Sequence, residues 1–73
     1  MEAKEQFGVN LRRLRLDAGL TQMELSNRSG LDMGEISRLE SGVRDVRLST
    51  IVRLADGLQV SVPLLLDRVG RFS

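Results

Sequence analysis

"TQMELSNRSGLDMGEISRLESG", residues Thr21 to Gly42, holds two helix starts and two helix stops in one short span. Thr21, followed three residues on by Glu24, has the spacing of a capping box: the hydroxyl takes the N3 amide and the N3 carboxylate reaches back. Asp32 and Glu35 repeat that spacing. Gly30 and Gly42 stand where each helix would need a residue of positive φ to end it. Leu25, Leu31, Ile36 and Leu39 are the apolar residues that would set the crossing of the two helices, and Ser26 is small where they would meet. Two helices of two to three turns, joined through a glycine turn, form a helix-turn-helix.

The same cues extend outward in both directions. Phe7, Leu11 and Leu14 recur at i, i+4 and i+7, which predicts a first helix from about Ala3 to Ala18. Gly19 ends it. After the loop "GVRDVRL", Ser49 is expected to cap a fourth helix with Ile51, Leu54, Ala55 and Leu58 on one face. "QVSVPLLLDRVG" then predicts a last helix over about 62–69, capped by Ser61, with Pro63 in the first turn where its missing N–H is harmless. The reading is all-α: one domain over 1–73, a five-helix bundle with its core at about 7–66 and the helix-turn-helix at 21–41.

Composition narrows the chemistry. The 73 residues contain no Cys, no His and no Tyr, and Lys4 is the single lysine. Disulfides, thiolate or imidazole metal sites and the usual acid–base constellations therefore cannot be built. Neither an enzyme, nor a metal, nor a cofactor is expected. No apolar run approaches the ~20 residues of a membrane span, and a cytoplasmic protein is expected. Net charge is only +1, yet ten of the eleven basic residues are Arg. Arg38, Arg44, Arg47 and Arg53 lie close together in sequence, in a pattern suited to phosphate and base-edge contacts. A domain this small is marginal alone, so a partner subunit is expected.

The chain from Phe7 to about Leu66 resembles the lambda-repressor-like (XRE or Cro-type) helix-turn-helix domain. The resemblance rests on "LRRLR" before a glycine, "LTQ" opening the second helix, "ISRLESG" closing the third, and "STIVRLADGLQVS". It implies a five-helix fold and duplex DNA as partner. It further implies that Gln22, beside Thr21 at the start of the second helix, bonds a DNA phosphate where backbone amides also point. Arg15 and Glu40 match a partly buried ion pair that locks the first helix to the third. The short length and the "ESGVRDVRL" loop resemble controller proteins of restriction–modification systems; antitoxin-type autorepressors fit equally well.

With Ile36, Leu39 and the stem of Glu40 turned inward, a step of about 100° per residue turns Gly34, Ser37, Arg38 and Ser41 outward, with Met33 at the edge. Met33, Gly34 and Arg38 match family positions for base contacts. Arg38 is the best reader, since its fork fits guanine O6 and N7; the competing reading pairs it with Glu35 one turn back. Met33 either packs on a thymine methyl or covers the core. Gly34 either brings the helix close to the bases or leaves room for a bulky neighbour. Ser37 discriminates little. Arg44 and Arg47, in the loop after the third helix, are expected on the DNA backbone or in a minor groove.

Leu64, Leu65 and Leu66 are consecutive, so at least one must face away from the core. Leu64, Leu66, Val69 and Phe72 are expected to form an apolar patch covered by a twofold partner. The expected function is thus a homodimeric, sequence-specific DNA-binding transcriptional regulator on a palindromic operator, with a toxin or polymerase as a further protein partner. The alternative is a protein-interaction module that keeps the helix-turn-helix but reads bases weakly, as Gly34, Asp32 and Glu35 would suit.

Overall fold

The computed structural model describes residues 1–70. Five helices follow one another: α1 (Ala3–Asp17), α2 (Gln22–Ser29), α3 (Met33–Glu40), α4 (Leu48–Leu58) and α5 (Val62–Leu65). There is no strand among the described residues. α1 packs on α3 and α5, α2 on α3 and α4, and α4 on α5. Phe7, Leu11, Leu25, Ile36, Leu39, Leu54 and Leu65 are the largest apolar side chains enclosed between them. Burying each contributes about 1.5–3 kcal/mol before the entropy of ordering is counted.

The cues at both ends of α2 are realised. Thr21 accepts the Glu24 amide at 3.0 Å while the Glu24 carboxylate accepts the Thr21 amide at 2.9 Å. Gly30 ends α2 at φ 74°, a left-handed conformation that a β-carbon would penalise. One glycine matters through proximity: a β-carbon on Gly8 would lie 2.5 Å from the Leu39 carbonyl oxygen, so its absence lets α1 and α3 touch backbone to backbone.

Four expectations need correction, the simplest being Ser61, which holds the N-cap position of α5 but makes no side-chain capping bond. Asp32 caps α3 through the Gly34 amide at 3.0 Å, and no reciprocal bond comes from Glu35. Glu35 instead lines two clefts, one shared with Arg44 and Arg47 and the other with Arg47 and Arg53. Ser49 does not cap α4. Arg47 holds the cap position, and the Ile51 amide bonds its carbonyl at 3.0 Å, so Leu48 and Ser49 already lie in the first turn.

The last helix stops at Leu65 instead of running to residue 69, and residues 66–70 form turns. The cause is Asn10, fully buried on α1. Its Nδ2 donates to the carbonyls of Leu65 (2.9 Å) and Asp67 (2.7 Å), the acceptors a continuing helix would have used. Arg68 then turns left-handed at φ 65°. Among the described residues, no helix is long and apolar enough to cross a membrane.

Candidate nucleic-acid interface

The turn between α2 and α3 is held by two serines. The Ser26 hydroxyl donates to the Leu31 carbonyl, which gives its small size a second purpose beyond clearance. Ser29 donates to the Leu25 carbonyl at 2.7 Å and accepts the Leu31 amide at 3.3 Å. These bonds fix the angle at which α3 leaves the turn.

The inner side of α3 is fastened by Ile36 and Leu39, both essentially unexposed, and by Glu40. The Glu40 carboxylate takes two bonds from the Arg15 guanidinium, Nε at 2.6 Å and Nη2 at 3.0 Å. Arg15 also donates Nη1 to the Leu20 carbonyl at 2.7 Å. The side chains are only 9 % and 3 % exposed, so the pair is buried and bidentate. The bond to Glu40 raises the Arg15 pKa further, and the guanidinium stays charged at every working pH. Gln22 joins this cluster: its Nε2 donates to Glu40 Oε1 at 3.2 Å. The residue expected to hold a phosphate is thereby oriented by the same carboxylate that pins α3.

The outer side of α3 presents Met33, Ser37, Arg38 and Ser41, all exposed, with Gly34 partly so. The Ser41 hydroxyl bonds back to the Ser37 carbonyl at 2.7 Å. Arg38 forms no ion pair with Glu35: the single salt bridge among the described residues is Arg15–Glu40. Its fork is therefore available to a ligand.

Beside this face, Arg44 and Arg47 stand exposed around Glu35 and Asp45. A second cleft, with Leu31, Glu35, Ser49 and Thr50 in its walls, joins Arg47 to Arg53. Arg53, whose Nη1 lies 3.8 Å from where a Gly30 β-carbon would sit, was named in the arginine cluster of the sequence but given no site of its own. The signal was its position one turn past Ser49 on the polar side of α4. Glu24 is held below the usual carboxylate range, first by the Thr21 amide and then by its hydroxyl.

On and after α5, Leu64 is 45 % exposed, Leu65 is buried, and Leu66 and Val69 are half-buried against the core. The expected apolar patch therefore centres on Leu64, and Phe72 lies outside the described residues. No group of three or more metal-ligating side chains occurs among the described residues.

Comparison with known proteins agrees with this architecture. The helix-turn-helix domain family matches residues 6–68. The control protein C.SmaI of Serratia marcescens is 41 % identical over 70 residues, 96 % of this chain and 83 % of that protein. Among solved structures, the restriction–modification controller protein C.AhdI from Aeromonas hydrophila superposes with a TM-score of 0.82 at 39 % identity. That alignment covers 85 % of this chain and 94 % of the other. The clp gene regulator ClgR from C. glutamicum gives a TM-score of 0.85 at 32 % identity, over 90 % and 86 % of the two chains.

Proposed function

The chain belongs to the helix-turn-helix domain family, and from that premise we propose that it is a transcriptional regulator that binds duplex DNA as a homodimer. Its work is binding, carried out in the cytoplasm, with α3 as the reading helix. The observation that carries this reading is the asymmetry of α3: its inner side is clamped by Arg15 and Glu40, while Arg38 on the outer side has no partner among the described residues. A guanidinium on a fixed helix is the group best suited to a guanine edge.

Around it, Gln22 and Thr21 serve one phosphate, and Arg44, Arg47 and Arg53 serve the backbone on the other flank. Leu64 lies in the apolar contact between twofold-related copies. Two such copies place their α3 helices about one DNA turn apart, ~34–36 Å, and call for an inverted-repeat site. The controller proteins among the relatives support an autoregulatory role of that type.

Selection from a randomised duplex pool at about 0.15 M salt, with Arg38→Ala run in parallel, tests the reading. The expected result is an enriched inverted repeat whose half-site preference degrades in the variant. If no sequence is enriched, the helix has the shape of a reader without its chemistry, and a protein partner becomes the better reading.

A further inference from the structure

The first turn of α3 brings three groups together. A β-carbon built on Gly34 would lie 2.9 Å from Asp32 Oδ2 and 3.3 Å from Arg38 Nη1, with Arg38 Cζ at 3.8 Å. The Arg38 guanidinium is therefore folded back by one helical turn and rests over the bare α-carbon of Gly34. Asp32 Oδ2 accepts the Gly34 amide at 3.0 Å, so a β-carbon on residue 34 would press against that capping bond as well as against Arg38. Arg38 has neither a salt bridge nor a side-chain hydrogen bond among the described residues, so its fork occupies the open space over Gly34.

We infer that Gly34 is a specificity-determining residue: its missing side chain seats the Arg38 fork over the first turn of α3 as a preset guanine reader. Long side chains on a helix sweep toward its N-terminus, so position 34, four residues back, is where an obstruction to Arg38 would stand. Any β-carbon there crowds Asp32 and Nη1 together, and the flexible guanidinium gives way. The first turn is also where a recognition helix meets base edges. A fork already lying there loses less side-chain freedom on binding than one that must be recruited from solvent. The inference rests on the regulator reading above and adds the residue that sets its base preference.

Four proteins decide it: the parent, Gly34→Ala, Arg38→Ala and the double variant. Each is titrated by fluorescence anisotropy against the selected operator and against duplexes with single G·C to A·T changes. The parent is expected to lose about 5- to 150-fold at one guanine of each half-site. Gly34→Ala should lose most of that discrimination, and it should add nothing once Arg38 is already Ala. Alanine is the better helix former but its β-carbon presses on the Asp32 cap, so the melting temperature of each variant is measured alongside and binding is compared well below it. NMR relaxation of the Arg38 Nε–H in the free protein gives a second measure, with more motion expected in Gly34→Ala.

Equal Arg38 mobility in both proteins would overturn the inference, as would a Gly34→Ala loss spread evenly over all positions. A parent that selects no sequence overturns the regulator reading and this inference together; a real operator with an even loss overturns this inference alone.

Discussion

Removing the Glu40 carboxylate leaves the Arg15 guanidinium buried with only the Leu20 carbonyl as partner, and frees Gln22 from its acceptor. Glu40→Ala is therefore expected to cost about 3–5 kcal/mol in urea unfolding. Replacing both charges, as Arg15→Met with Glu40→Leu, should recover most of that loss, because an apolar pair of similar volume needs no desolvation. Recovery of stability without recovery of DNA binding would show that Gln22 depends on Glu40 for its orientation. Glu24 behaves differently, being fully exposed. Its pKa is lowered in the folded state, so its contribution is present above the unfolded pKa and is lost as pH falls through the folded one. The melting temperature of Glu24→Gln should accordingly converge on that of the parent in acid and fall below it toward neutrality.

Among the helices, α4 begins without a side-chain cap, since Arg47 occupies a position that favours Ser, Thr, Asp or Asn. Arg47→Asp is expected to raise stability by about 1 kcal/mol through capping and the helix dipole. It should also weaken DNA binding and lower the slope of log affinity against log salt by about one. Gaining stability while losing binding would mark Arg47 as kept for the phosphate. The other boundaries were legible where the cause was local. Thr21 with Glu24, Gly30, and the inward set Ile36 and Leu39 each act within one turn of themselves, and short-range spacing exposes them. The end of α5 was not legible, because Asn10 far up the chain causes it. The one visible signal was a polar residue one turn after Phe7 on the core face of α1. The bond from Gln22 to Glu40 was hidden for the same reason: it exists only once α2 and α3 have crossed. On the reading face the residues were legible, whereas the folding back of Arg38 over Gly34 required coordinates.

For the whole molecule, the proposed dimer contact on α5 and the proposed reading helix α3 belong to separate elements. Leu64→Glu should give a monomer by sedimentation, with α2 and α3 intact by circular dichroism. Such a monomer engages one half-site at a time, so affinity for an inverted repeat should fall by about 10²–10⁴ while affinity for a single half-site holds. A Leu64→Glu protein that remains dimeric would move the contact elsewhere.

The Asn10 clasp sets a clock as well as a boundary. Its bonds to Leu65 and Asp67 join groups 55 and 57 positions apart, so they close only after the intervening chain is in place. They can also open first, letting the last turn peel away while α1 to α4 stay folded, a sub-global opening. Since Leu64 belongs to that last turn, a dimer formed through it as proposed would have its lifetime tied to that of the clasp. Asn10→Ala should therefore speed subunit exchange between labelled dimers and raise the hydrogen-exchange rate of the Leu66 and Val69 amides far more than that of α3. The reading helix would keep its protection while the partner comes and goes.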